Sequence, residues 1–398
     1  MSRNVCSEGY ASPWVCTQCG TCVAVCPTDA LSMREADHGC RYPVANDERC
    51  VSCGVCAEVC PGPRLIDLAN HDRPTEADRV YGALERCGLG WASDEAVRRA
   101  SSSGGLVTAV LLHLLKSGAI DGAVVTDLGG EGCMPRTRLV RDSEEVAAAC
   151  GSKYMLTSCA EALADVVSAE DGPFAVVGMP CQVQGVRRAM RASEAMRRNV
   201  ALCISLFCGG TKDFRYRALL ARKMGLDGEH LVRFTFRGEG WPGAISGEDA
   251  RGEIGSIPAY DDELSAIWRR AALTPPRCLV CDDPLGAAAD VVVGDPWHID
   301  DDREGPGRSL FLARTEAGLS AIEHARNGGA VEIDETITHS DVMRSAQGIL
   351  WRRYYAPSRV RLASLWARGW RQAASEAPRP SLGLIARAAR AFVLSRRR

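Results

Sequence analysis

A chain of 398 residues has room for two or three domains and a sizeable core. Its 46% hydrophobic and 25% charged residues are the composition of an ordinary soluble globular protein, which sets aside fibrous and disordered classes. The formal net charge of −2 argues neither for nor against a polyanionic partner; no nucleic-acid partner is expected.

Nineteen cysteines, with no apolar secretory stretch and no twin-arginine signal in residues 1–6, point to a reducing compartment. The expected location is therefore the cytoplasm. The cysteines are patterned. Cys16-x-x-Cys19-Gly20-x-Cys22-x-x-Val25-Cys26-Pro27 returns as Cys50-x-x-Cys53-Gly54-x-Cys56-x-x-Val59-Cys60-Pro61. Each copy is the bacterial ferredoxin run, in which three thiolates wrap one cluster and the fourth crosses to the other. The predicted ligand sets are Cys16, Cys19, Cys22 and Cys60 for one 4Fe–4S cluster, and Cys50, Cys53, Cys56 and Cys26 for the second. A disulfide framework does not suit a large cytosolic chain. Zinc needs four thiolates per site but not a Cys-Pro at fixed spacing in both copies.

After Pro61 the polar run around Asn70-His71-Asp72-Arg73-Pro74 reads as a linker. From about residue 95 short apolar strands alternate with helices. Ser101-Ser102-Ser103-Gly104-Gly105 leads into an apolar helix, with serine as N-cap and Gly118 as its stop. The apolar stretch 106–126 is broken by Lys116 and Asp121, too broken to span a bilayer. Strands are predicted at 121–126, 174–178, 200–206 and 290–294, with helices at 158–168, 182–190 and 213–224 between them. This alternation predicts α/β layers on a mostly parallel sheet, whose functional residues gather at the carboxyl ends of the strands. Residues 234–262, rich in Gly, charge and aromatics, read as a β-hairpin excursion near the site or as a surface insertion. Residues 359–398 are strongly basic. They read as a packing or solvated helix, with contact to a membrane surface or a partner as the alternative.

Among the remaining cysteines, Cys181 and Cys208 each follow a strand, and Cys278-x-x-Cys281 leads into the strand ending at Gly294. One sheet edge could gather all four, for a third cluster, a zinc ion or a redox dithiol. Cys203 lies inside a strand and reads as core. Ser103-Gly104-Gly105 at a helix start offers backbone N–H groups to a phosphate, or serves packing only. Gly151-Ser152-Lys153-Tyr154 supplies a cation and hydroxyls, and Lys153 reads as a phosphate or flavin contact or as a surface lysine. Asp295, ending a strand, reads as a site residue or a turn residue. His113 and His298 read as structural.

Taken in order, the ferredoxin repeat, Ser-Ser-Gly-Gly-x-x-Thr (Ser102 to Thr108), Gly-Ser-Lys-Tyr, Gly-Met-Pro-Cys-Gln, Leu-Phe-Cys-Gly and Cys-x-x-Cys before Ala-Asp-Val-Val-Val-Gly-Asp resemble the coenzyme F420 hydrogenase/dehydrogenase beta-subunit family. The resemblance covers about residues 12–345. It implies an α/β chain, α+β overall: a bacterial-type ferredoxin domain at 8–69, a linker at 70–94, and a flavin-binding domain whose N-terminal part is 95–170 and whose cluster-bearing part is 171–345; beyond the resemblance, residues 346–398 read as a basic helical tail. It further implies FAD lined by Ser102, Ser103, Gly104, Gly105, Thr108, Ser152 and Lys153, and a third 4Fe–4S cluster on Cys181, Cys208, Cys278 and Cys281. The activity implied is oxidoreductase electron transfer, with coenzyme F420 (a deazaflavin) or another small molecule as substrate and redox subunits as partners; the alternatives are a ferredoxin-dependent FAD reductase of an organic substrate and a non-catalytic electron-relay subunit of a larger complex. Bacterial relatives act on other substrates, and no catalytic acid or base is implied.

Overall fold

The computed structural model describes residues 6, 11–63, 84–299 and 305–365. The N-terminal unit is an antiparallel ribbon of β1 (Leu31–Glu35) and β2 (Arg41–Ala45) with two short helices, Thr21–Ala24 and Val55–Val59. Each helix is entered through a glycine in the left-handed region, Gly20 at φ 79° and Gly54 at φ 80°, where a Cβ would be strained. The repeat in the sequence is thus a repeat in the backbone.

An eight-stranded sheet follows, built from β3 (Arg86–Ala92), β4 (Gly122–Asp127), β5 (Arg136–Val140), β6 (Phe174–Gly178), β7 (Val200–Leu206), β11 (Val291–Gly294), β12 (Ser309–Ala313) and β13 (Val331–Asp334). Its order is β13-β3-β12-β11-β7-β6-β4-β5. The four strands expected from the sequence, β4, β6, β7 and β11, form its parallel centre. They are continuous apolar runs, as strands covered on both faces must be. Antiparallel β5 extends one side, and β12, β3 and β13 the other. The fold is α/β with a parallel core in a mixed sheet.

Two expectations about segments need correction. Residues 84–94 are not linker, because β3 lies inside the sheet between β13 and β12. The remaining linker residues, 70–83, lie outside the described residues, as do residues 64–69 of the ferredoxin domain. The strand is hard to read because Gly88 and Gly90 dilute its apolar run. Gly88 is there for contact: a Cβ on it would stand 2.6 Å from the Phe311 ring. The tail placed at 346–398 begins within a helix, His339–Ala363, that packs on the protein; Arg352 and Arg359 are buried in it. Residues 366–398 lie outside the described residues.

The helix Leu106–Lys116 stops at Gly118 as expected, but its N-cap is Gly105, at φ 76°, and no serine side chain caps it. The hydroxyl of Ser103 donates instead to the carbonyl of Arg308 at 2.5 Å. The hairpin excursion is present as a three-stranded meander of β8 (Leu231–Gly238), β9 (Ala244–Asp249) and β10 (Ile254–Pro258). Phe234 and Phe236 anchor it to Tyr216, Leu220 and Leu264.

Two cores cover the faces of the large sheet. One holds Leu106, Val110, Phe311 and Ile322. The other joins Val183, Val186, Val292 and Leu350 to Cys22, Leu31, Cys56 and Val59, so the ferredoxin unit shares a core with the sheet domain. Among the described residues no helix is long and apolar enough to cross a membrane.

Candidate functional site

The ferredoxin unit brings its eight motif cysteines together as two quartets. Cys16, Cys19, Cys22 and Cys60 line one cavity with Met33, Pro43 and Pro61. Cys26, Cys50, Cys53 and Cys56 line another with Pro27, Leu31 and Val51. Each quartet takes three cysteines from one copy of the repeat and the Cys-Pro cysteine from the other. Backbone N–H groups of Gln18, Ala30 and Gly62 point at the sulfurs of Cys16, Cys26 and Cys60, at 3.3, 3.3 and 3.4 Å. Such bonds stabilise thiolate and cluster sulfur charge. Burial, then Cys19, pushes the Cys60 thiol up to about 12. Among the described residues no three His, Cys, Asp or Glu side chains close to the spacing of a single ion.

The carboxyl edge of the parallel strands holds the second cysteine set. Cys181 follows β6 in the first turn of the helix Pro180–Ala192, and Cys208 follows β7. Cys278 and Cys281 sit on and just after the short turn of helix Pro276–Val280. The four are in mutual electrostatic reach: Cys181 is raised well above the ordinary thiol value by burial, then by Cys281, Cys278, Cys208 and Cys19. Cys208 is pushed up to about 12 by burial and then by Cys278 and Cys281. By accessible surface each of the four is only half-buried, the position of a side chain lining a hollow. Thiols whose charges oppose one another ionise together only around a cationic core, and an iron–sulfur cubane is such a core. The presence of Cys19 among the groups acting on Cys181 places this set next to the first ferredoxin quartet. Gly185 makes the approach possible: a Cβ there would run into the Thr21 hydroxyl and lie 3.4 Å from the Cys19 sulfur. Cys203, in β7, is fully buried core.

The loops expected to hold a flavin also meet. The backbone N–H of Ser152 donates to the Ser102 hydroxyl at 2.8 Å, and Thr108 donates to the Cys150 sulfur at 3.5 Å. The Gly104 N–H donates to the Ser309 hydroxyl at 2.9 Å, and a Cβ on Gly104 would meet the Gly90 carbonyl at 2.6 Å and the Ser309 nitrogen at 2.7 Å. Only glycine permits this packing of loop on sheet edge. Lys153 is neither a surface lysine nor an outward cation. Its ammonium donates to the carbonyls of Ala149, Cys150 (2.9 Å) and Gly151 (2.8 Å), and burial lowers it to about 8. The loop backbones are thus closely packed on the sheet, with the Gly104 N–H used by Ser309 and the Lys153 ammonium spent on its own turn.

Sequence reasoning missed Arg237 in β8. It is 2% exposed and forks onto Asp295, Nη1 to Oδ2 at 2.6 Å and Nη2 to Oδ1 at 3.1 Å. It also donates to the Ser102 carbonyl, the Tyr154 hydroxyl at 3.2 Å and the Pro242 carbonyl at 2.9 Å. Asp295 is therefore the counter-ion that ties the meander to the sheet edge, and it also accepts from the Trp241 indole at 3.3 Å. Trp241 and Tyr260 both pack on Trp297. The available signal was the strand period: Phe234 and Phe236 face their own core, so Arg237 faces the opposite way. His113 rests against His324, ring to ring at 4.8 Å.

Residues 88–164 match the family described as coenzyme F420 hydrogenase/dehydrogenase, beta subunit N-term, and residues 172–338 match the C terminus of the same beta subunit. Together they take in more than half of the chain. Residues 15–62 match the 4Fe-4S dicluster domain. The chain is 25% identical over 261 residues to coenzyme F420 hydrogenase subunit beta of Methanothermobacter thermautotrophicus, covering 64% of this chain and 85% of that one. It is 28% identical over 358 residues to coenzyme F420-dependent sulfite reductase of Methanocaldococcus jannaschii, covering 84% of this chain and 48% of that protein, about half its length. In fold it is similar to a chain of the F420-reducing NiFe hydrogenase complex of Methanosarcina barkeri, with a TM-score of 0.55 and 20% identity over 71% of this chain and 94% of that chain. The chain belongs to the coenzyme F420 hydrogenase/dehydrogenase beta-subunit family, as an oxidoreductase with a 4Fe–4S dicluster domain.

Proposed function

We propose that this chain carries electrons between coenzyme F420 and one-electron acceptors or donors, through FAD and three 4Fe–4S clusters, in the cytoplasm and in company with other redox subunits. The carrying observation is continuity: the set Cys181, Cys208, Cys278 and Cys281 lies at the carboxyl edge of the sheet, beside Cys19 of the first ferredoxin quartet, which shares Cys-Pro crossovers with the second. FAD, when bound, supplies the exchange between hydride chemistry, two electrons at once, and the single electrons that clusters carry.

This chain's own residues do the positioning. Gly104 and Gly105 let the turn pack onto β3 and β12 at the start of the helix Leu106–Lys116, whose first N–H groups suit a phosphate, and the Ser102–Ser152 bond locks the two loops together. The Arg237–Asp295 fork holds the meander against them. Ferredoxin thiolates in the buried quartet keep water from one cluster, while the exposed Cys53 leaves the other open to a partner.

Anaerobic purification tests the reading. We expect about twelve iron atoms and matching sulfide per chain, one flavin, and reduction of the clusters on adding reduced F420. Zinc in place of iron, or a colourless preparation, overturns it. A second reading is suggested by the aromatic wall of Trp241, Trp297 and Tyr260 beside Asp295: a flat organic substrate, reduced with electrons arriving through the ferredoxin unit. Reduction by ferredoxin but not by reduced F420 would favour it.

A further inference from the structure

The helix His339–Ala363 carries two buried guanidinium groups to the Cys278–Cys281 turn. Arg352 is 3% exposed and Arg359 is 5% exposed. Arg352 donates to the carbonyl of Cys278 at 2.6 Å, and Arg359 donates to the carbonyl of Leu279 at 2.9 Å. Both stack on Trp351, at 4.9 and 4.1 Å from the ring. Among the described residues no carboxylate stands within ion-pair distance of either, and Nε of Arg352 has no hydrogen-bond partner. Room for Arg352 is provided by Gly210, two residues beyond Cys208; a Cβ there would lie 2.8 Å from Nη2. Two buried cations without an acid are costly. Groups of opposite potential charge next to them include the cysteines: Cys281, with Tyr355, acts on Arg359, and Arg352 acts on Cys208.

We propose that Arg352 and Arg359 are the built-in counter-cations of the cluster on Cys181, Cys208, Cys278 and Cys281, positioning residues that hold it at a higher reduction potential than four thiolates alone would give. The inference rests on the third cluster assigned above. Reduction adds one electron and no proton, so the site gains one negative charge. Two fixed positive charges in a low-dielectric setting favour that change. Arg277 and Arg188 act on Cys60 of the first ferredoxin quartet, and Arg277 also acts on Cys281; Arg352 and Arg359 are the cations added at the third site alone. The two arginines make the third site more readily reduced than it would be without them, a resting place for an electron leaving the flavin.

The test is an EPR-monitored redox titration of the full-length protein, purified anaerobically, with iron and sulfide counted in every sample. The variants are R352Q, R359Q, the double variant and R352K. The expected result is that the double variant keeps its iron while the third midpoint moves negative by at least tenfold in the reduction equilibrium, about 59 mV for one electron, and the ferredoxin signals stay in place. R352K, which keeps the charge, stays near the parent. An unchanged midpoint with all iron retained overturns the proposal. If R352Q loses the third cluster, R352K decides: retention supports a counter-cation, and loss there too shows that the hydrogen bond to the Cys278 carbonyl was structural, which overturns it. A parent protein with about eight iron atoms refutes the third cluster itself, a separate failure.

Discussion

Arg237 and Asp295 face each other across the seam between the meander and the sheet edge, joined at two points, 2.6 and 3.1 Å, with the guanidinium buried. The pair is separated by 58 residues in sequence, and it fixes the loop that carries Ser102. Removing one partner leaves a buried charge uncompensated, which costs about 3–5 kcal/mol. Asp295→Leu should lose about that much in urea unfolding. The double variant with Arg237→Met should lose less than Asp295→Leu alone, a positive coupling in the mutant cycle.

The two ferredoxin quartets differ in exposure. Cys16, Cys19, Cys22 and Cys60 are buried, whereas Cys53 is exposed and Cys50 half-exposed. Oxidants reach thiolates and clusters through solvent. Brief exposure to air should therefore deplete the Cys26, Cys50, Cys53, Cys56 site first. EPR amplitudes followed over time would check this, with Cys50→Ala identifying the signal that disappears. Equal rates for both sites would contradict it.

Gly185 sets the distance between the helix Pro180–Ala192 and the first quartet. Gly185→Ala adds a methyl group where the Thr21 hydroxyl sits. Overpacking of this kind costs about 1–3 kcal/mol. The variant should also slow electron passage from the Cys181 site to the ferredoxin unit, read by freeze-quench EPR. Unchanged stability and unchanged transfer would show that the helix can shift freely.

Lys212 is 1% exposed, donates to the Ala272 carbonyl at 2.8 Å and the Thr274 hydroxyl at 2.9 Å, and lies over the Trp268 ring. Burial, then Arg352, lowers it from 10.5 to about 7. The folded state binds this proton less readily than the unfolded chain does. The charged-lysine penalty is therefore full below about pH 7 and is relieved as pH rises toward 10.5. This group's contribution to stability should rise with pH across that window. Melting temperatures of the parent and Lys212→Met, compared from about pH 7 to about 10, should diverge less as pH rises if the cost is the proton.

Much of this protein is local and therefore legible. The Cys-x-x-Cys-Gly-x-Cys spacing sets a turn around glycine at positive φ, and the same turn appears twice in the backbone at Gly20 and Gly54. The parallel strands announced themselves as unbroken apolar runs, because both their faces are covered. The meander was visible as a β excursion, though not its third strand. β3 was not legible, since its Gly88 answers to Phe311, more than two hundred residues away, and its Gly90 to Ile333 and Leu106. Neither was the N-terminal cap at Gly105, because Ser103 is engaged by Arg308 across the sheet edge.

By itself, then, the sequence determined which thiols belong to a ferredoxin unit, the alternating pattern of the sheet domain and the order of its motifs, since each depends on residues a few positions apart. Only the tertiary structure decided that Cys181, Cys208, Cys278 and Cys281 share one edge beside Cys19, that Asp295 answers Arg237, and that the basic C-terminal segment places Arg352 and Arg359 in the interior. Those relations span from 58 residues to more than a hundred and are fixed by what the core leaves room for. Burial turns each of them into a question of charge, because a cation or thiol removed from water must find its partner within the fold.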